Sequence, residues 1–214
     1  FRFHHVSTDE VYGSLPDDPS HKFKETSPYD PRSPYSASKA SSDHLVNAWH
    51  ETYGLPTIIT NCSNNYGPFQ FPEKFIPHII LNALLGKKIP IYGDGKQSRD
   101  WLYVFDHAKA LKKIFFNGKL GETYNVGTGI STTNIKLAKL ICKIMNKKVS
   151  NKPNNITDFN KLITYVKDRP GHDVKYLINP TKITKVKLSV GLIILHKKSE
   201  IKINICIKTI QPLL

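Results

Sequence analysis

An α/β fold with a largely parallel sheet is what this 214-residue sequence predicts, and three observations carry it. Short runs rich in β-branched residues alternate with longer stretches of helical periodicity. Gly and Pro punctuate the joints between them. The first three elements follow one another as strand, helix and strand, the order of a parallel βαβ unit.

"RFHHVS" reads as a short buried strand. After a Pro-rich loop over 16–34, Pro34 opens a helix that runs to Tyr53, with Gly54 as its stop. Leu45, Trp49 and Tyr53 fall four apart on one face of that helix. "LPTIITNCS" is a β-branched strand, and "EKFIPHIILNALLG" a second helix with Pro77 near its first turn and Gly86 at its end. "KIPIYGDG" is a strand leaving through a turn, "VFDHAKALKKIFFNG" a helix, and "ETYNVGTG" a strand that exits through glycines. "NIKLAKLICKIMNK" is an amphipathic helix aligning Leu137, Ile141 and Ile144. Near the end, "SEIKINICIK" alternates Ile201, Ile203, Ile205 and Ile207 with polar residues or Cys, which is strand periodicity. "VGLIILH" before it is a bare apolar run.

A hydrophobic content of 39% and a charged content of 22% describe a soluble globular chain with mass for a substantial core. No apolar run reaches the length of a membrane span and no basic, apolar leader opens the sequence, so no membrane partner is expected. Cys62, Cys142 and Cys206 fit no metal spacing and leave one thiol unpaired. Reduced cysteines, no metal and a cytoplasmic location follow as expectations. The formal charge of +14 raises nucleic acid as a partner. The lysines, however, are scattered among Asn and Ile rather than gathered with aromatics. The charge is read as a general attraction for phosphate-bearing ligands, with no nucleic-acid partner.

Two constellations carry chemistry. "YSASK" places Tyr35 and Lys39 four apart on one helix face, where an ammonium beside a phenol favours the phenolate and makes a usable base. "STDEVYG" ends the first strand with the hydroxyls of Ser7 and Thr8 and then two adjacent carboxylates, Asp9 and Glu10. Alone, that stretch reads as a turn, since Ser, Thr and Asp leave strands by bonding their own backbone. Followed by Tyr35 and Lys39, a strand-end hydroxyl can orient a sugar or alcohol OH while its proton is taken.

"STDEVYG", "SPYSASKASSDHLV", "TNCSNNYGP", "PEKFIP", "IPIYGDGKQSRDWLYV", "ETYNVG" and "DRPGHD" together resemble the dTDP-glucose 4,6-dehydratases. These are extended short-chain dehydrogenase/reductase proteins acting on nucleotide sugars. The likeness runs almost unbroken from residue 1 to about 183. It implies a homodimer when complete, NAD as cofactor, a nucleotide-diphosphate sugar as substrate, and dehydration of dTDP-glucose to dTDP-4-keto-6-deoxyglucose. By the same resemblance Tyr35 takes the C4 hydroxyl proton, Thr8 holds the C4 oxygen, Glu10 is the base at C5 and Asp9 the acid toward the C6 oxygen. Adjacent carboxylates suit that division, because one tends to hold its proton when the other ionises. Ser7, Tyr35, Lys39 and Asn65 are implied to meet the cofactor. Thr8, Asn64, Lys74, Tyr92, Arg99, Asn134, Arg169 and His172 are implied to meet the substrate, the arginines through bidentate phosphate contacts. Cys62 is read as a packed strand-end residue.

The implied architecture is a partial Rossmann-like, doubly wound parallel sheet with a smaller α/β substrate-binding domain. Residues 1–68 would be the C-terminal part of the NAD-binding domain. Residues 69–183 would be mainly the nucleotide-sugar domain, with segments returning to the Rossmann core, and 184–214 a divergent tail. No G-x-G-x-x-G turn is present to hold a dinucleotide pyrophosphate, so that half of the NAD site is expected to be missing. Three origins stay open: a fragment, an eroded or frame-shifted gene product, or one part of a split protein. Two other functions stay open as well. One is an epimerase or decarboxylase of the same superfamily, against which Asp9 and Glu10 argue. The other is an inactive remnant that only binds nucleotide phosphates.

Overall fold

The computed structural model describes residues 1–16, 18, 20–168, 172–185 and 199–210. The chain divides into two units, each drawn from separate segments. The first takes residues 1–65, 98–131 and 173–185; the second takes 66–97, 132–168, 172 and 199–210.

The first unit holds β1 (Phe3–Thr8), α1 (Pro34–Tyr53) and β2 (Thr57–Cys62), the βαβ order expected. Around 64–66 the chain crosses between units in the short strand β3 (Asn64–Tyr66). The second unit then contributes α2 (Phe75–Leu84) and β4 (Ile89–Tyr92). The first unit resumes with β5 (Ser98–Tyr103), α3 (Val104–Asn117) and β6 (Thr123–Val126). β7 (Ser131–Thr133) leads into α4 (Asn134–Lys148), followed by β8 (Ile163–Val166), α5 (Thr181–Lys185) and α6 (Ser199–Ile210).

In the first unit β1, β2 and β6 form a parallel sheet in that order. Its register sets Ser7 opposite Asn61 and Thr8 opposite Cys62, and Asn61 in turn opposite Asn125. The polar strand ends therefore meet at one edge, as the parallel α/β reading expects. α1 begins where Pro34 predicts. The Ser33 and Ser36 side chains form a capping box, and Gly54 ends the helix in the left-handed region at φ 68°.

In the second unit β4 and β8 pair in parallel. The core gathers Ile76, Ile79 and Ile80 of α2, Ile89 and Ile91 of β4, Leu137, Ile141 and Met145 of α4, and Phe159. Sequence reading passed over β8, whose four residues are too few to show a period.

One element is corrected. "SEIKINICIK" is not a strand but helix α6. Ile203, Cys206, Ile207 and Ile210 are buried, at spacings of three, four and seven, whereas Ile205 is exposed. The isoleucines satisfied a period of two by chance. Packing against α2 and α4 overrides the strand preference of β-branched residues. The apolar run Val190–His196 lies outside the described residues.

Candidate active site

The candidate catalytic residues belong to the first unit. β1 ends at Thr8, whose extended backbone caps a 3-10 turn over Asp9–Tyr12. The Thr8 hydroxyl oxygen accepts the Glu10 N–H at 3.3 Å, and the hydroxyl reaches Asp9 Oδ1 at 3.5 Å. "STDEVYG" is thus a turn, as its local chemistry dictates, but a buried one. Asp9 is 1% exposed and its Oδ2 has no hydrogen-bond partner among the described residues. Burial pushes the Asp9 carboxyl well above the usual range, and the Asp100 and Glu10 charges push it further; the Arg99 guanidinium pulls the other way. Glu10 on the same turn is half-buried.

Tyr35 and Lys39 sit on successive turns of α1. Tyr35 is 55% exposed, and its phenol lies within the fields of Glu10, Cys62 and Asp9. A lowered phenol pKa was the expectation. The structure reverses that direction: partial burial first, then those neighbours, raise it. Lys39 Nζ donates to the Val6 carbonyl at 2.8 Å, so its charge is held on β1 instead of on the phenol.

Ser7 is buried and its hydroxyl donates to Asp43 Oδ2 at 2.9 Å. In β3, Asn64 Oδ1 is buried without a hydrogen-bond partner among the described residues. Asn65 Nδ2 donates to the Ser63 carbonyl at 3.0 Å and lies 3.6 Å from Cys62 Sγ. Cys62 packs at the end of β2 with its thiol pushed up to about 12, chiefly by burial. Arg99, on β5, is buried: Nη1 donates to Ser98 O, Nη2 donates to Asp173 O at 2.9 Å, and the guanidinium lies 4.4 Å from the centroid of the Tyr176 ring.

Sequence reading missed Asp100. It is buried, and its carboxylate accepts the N–H groups of Thr128 at 2.9 Å and Gly129 at 2.8 Å and the Thr128 hydroxyl. Burial raises its pKa to about 6 against the pull of those bonds. The "GTG" after β6 was the available signal, since a backbone nest of N–H groups attracts an anion. Here the anion is internal. A Cβ at Gly127 would stand 2.6 Å from Asp100 Oδ2, so that position needs glycine.

The remaining candidates belong to the second unit. Lys74 caps α2 and pairs with Glu73 at 3.2 Å. Tyr92 ends β4 and is exposed. Asn134 opens α4, its backbone N–H donating to Gln97 O at 2.9 Å. His172 Nδ1 lies 2.7 Å from Asp168 Oδ1, while Gln97 Nε2 donates to Asp168 Oδ2 at 2.7 Å. Arg169 lies outside the described residues. Among the described residues, no His, Cys, Asp and Glu cluster could hold a metal, and no helix is long and apolar enough to cross a membrane.

Residues 1–188 match the family described as GDP-mannose 4,6 dehydratase. A dTDP-glucose 4,6-dehydratase of Escherichia coli is 59% identical over 190 residues, which are 86% of this chain and 52% of the relative. One from Neisseria meningitidis is 59% identical over 187 residues with the same shares. Among solved structures, dTDP-glucose 4,6-dehydratase of Bacillus anthracis in complex with NAD matches with a TM-score of 0.83 at 39% identity, over 99% of this chain and 62% of that one. A UDP-N-acetylglucosamine 4-epimerase of Methanobrevibacter ruminantium matches with a TM-score of 0.82 at 28% identity, over 100% of this chain and 64% of that one. The chain spans about half the length of the curated relatives it matches. Strands β1, β2 and β6 are part of a Rossmann-like sheet, and the chain belongs to the GDP-mannose 4,6 dehydratase family.

Proposed function

We propose that this chain carries the acid–base centre of an NAD-dependent dehydratase that converts dTDP-glucose to dTDP-4-keto-6-deoxyglucose in deoxysugar biosynthesis. The observation that carries the reading is Asp9: a buried carboxyl with an oxygen that has no hydrogen-bond partner among the described residues, beside Glu10 and contributing to the field at Tyr35. Reversible oxidation at C4 needs only a hydroxyl, a Tyr and a Lys. Loss of water across C5 and C6 needs a base and an acid besides. Burial favours the protonated form of Asp9, which serves as the acid to the departing C6 hydroxyl. Glu10 takes the C5 proton, Tyr35 the C4 hydroxyl proton, and Thr8 holds the C4 oxygen.

NAD, when bound, supplies the acceptor and donor of the hydride. The exposed Tyr35 phenol, Lys39 and Asn65 fit its nicotinamide and ribose end, while Asn64, its buried Oδ1 without a hydrogen-bond partner among the described residues, stays with the substrate. For the pyrophosphate the fit is poor. The sequence has no G-x-G-x-x-G, and the amides of the "GTG" loop are taken by Asp100. Ser7, whose hydroxyl proton is given to Asp43, keeps only its oxygen lone pairs for a cofactor. Arg99, Lys74, Tyr92, Asn134, Arg169 and His172 complete the proposed nucleotide-sugar set.

The same reading makes the protein cytoplasmic and pairs it with a second copy through α1. Leu45, Trp49 and Tyr53 are all exposed there, with the Trp49 and Tyr53 rings 4.8 Å apart. Product analysis tests the function. The chain is co-expressed with a glycine-rich strand–turn–helix segment of the kind the resemblance places before residue 1. Incubation with dTDP-glucose and NAD should yield a sugar with a C6 methyl and a C4 ketone by NMR. A C4 epimer that keeps its C6 hydroxyl would assign the chain to epimerisation instead.

A further inference from the structure

Tyr35, Lys39 and Asp43 lie at intervals of four on α1, so the third shares the face of the first two, about 12 Å along the axis from Tyr35. Tyr35 is exposed, and half-buried Lys39 reaches the Val6 carbonyl of β1. Asp43 is fully buried and cannot touch a substrate. Of the twenty residues of α1, the buried ones are Ser36, Ala40 and Asp43. Two of these are small, so no large apolar side chain of the helix is fully buried. Besides the Lys39 bond to the Val6 carbonyl, what ties it to the strands is one carboxylate.

Asp43 Oδ2 accepts the Ser7 hydroxyl at 2.9 Å, the Tyr29 hydroxyl at 2.9 Å and Asn61 Nδ2 at 3.2 Å; Oδ1 lies 2.9 Å from His5 Nε2. Those groups come from β1, β2 and the loop before α1. Asn61 Nδ2 also donates to the Thr8 carbonyl at 3.2 Å, so the network ends on the backbone of the proposed site itself. Apolar contacts tolerate sliding and rotation, whereas several directional bonds to one charged group from two strands do not. From this geometry we propose that Asp43 is a positioning residue: it sets the rotation and height of the α1 face that carries Tyr35 and Lys39 against the end of β1.

The proposal rests on the reading of Tyr35 and Lys39 given above, and its test separates the two. Asp43→Asn removes the charge. Tyr29→Phe removes one donor and keeps the ring, so it preserves the fold where the first variant does not. Ring signals of 13C-labelled tyrosine, assigned with Tyr35→Phe, report the surroundings of Tyr35 directly. In every folded variant the Tyr35 signal should shift, while that of Tyr165 on β8 stays put. In the complemented enzyme, kcat should fall at least tenfold for Asp43→Asn and less for Tyr29→Phe, with KM within twofold of the parent. Superimposable Tyr35 signals in the folded variants would overturn the proposal, and so would a loss confined to KM. If the parent gives no dehydrated sugar, the functional reading fails and the tyrosine signals still decide the role of Asp43.

Discussion

Asp9 and Glu10 are neighbours on one 3-10 turn, yet the first is sealed from solvent while the second is only half-buried. The turn buries one carboxyl and leaves the other partly open, and the fields of both reach Tyr35. That contrast in burial suits the proposed division into an acid and a base.

Under the proposed roles, replacing either should stop a different step. Glu10→Gln should leave C4 oxidation intact and slow C5 deprotonation by roughly a hundredfold to ten-thousandfold. Solvent deuterium exchange at C5 measures that step. Asp9→Asn should spare the exchange and slow loss of the C6 hydroxyl, and Tyr35→Phe should stop turnover at the first proton transfer. Normal turnover by Glu10→Gln would reduce the paired carboxylates to a turn.

The isolated chain should bind NAD weakly, because the nest that could cradle phosphate is filled by Asp100. Calorimetry with the 214 residues alone should show little heat. Co-expression with a glycine-loop segment should restore binding. Tight binding by the chain alone would contradict this.

His107, buried on α3 with Nε2 lacking a hydrogen-bond partner among the described residues, has its pKa lowered to about 4 by burial first and His4 second. A lowered value means the unfolded chain takes the proton first. Its contribution is present above pH 6.5 and is lost as pH falls toward 4, to a limit of about 3 kcal/mol. Asp100, raised to about 6, acts in the opposite sense over an overlapping window, and the raised Asp9 acts in that same opposite sense. The comparison must be with His107→Phe: between pH 7 and 4.5 the parent should lose more melting temperature than that variant. Parallel losses would rule the histidine out.

On α6, Ile207→Ala should cost about 2–5 kcal/mol, as truncation of a buried isoleucine does. Ile205→Ala, at an exposed position of the same helix, should fall within about 0.5 kcal/mol. Urea unfolding measures both. Equal losses would restore the strand reading of this segment.

Much of the fold could be read from local pattern. Pro34 and Gly54 bound α1 because one fixes φ and the other tolerates a left-handed one. α6 could not be read so. Its isoleucines satisfy two periods, and the choice is made by α2 and α4, far away in sequence. For the candidate site, Thr8, Asp9, Glu10, Tyr35 and Lys39 could be proposed from sequence because they stand in two short runs. The Lys39 bond to the Val6 carbonyl and the reversed shift of Tyr35 were not, since both depend on where α1 rests on β1. Asp100 and Asp43 were hidden for the same reason: each is defined by partners at least fourteen residues away.

The interleaving of the two units bears on how the chain can fold while it is being made. The first unit needs residues near 173–185 to finish its contacts, and the second needs α6 at 199–210 to cover α2 and α4. On a ribosome neither can close early, and the apolar faces of α2 and α4 must wait for the last helix. Contacts this distant are slow to form and leave sticky surface open meanwhile. Yield in a cell should therefore depend on chaperones that shelter incomplete chains. Truncations before residue 199 should be cleared by proteases even though every proposed catalytic residue is already present.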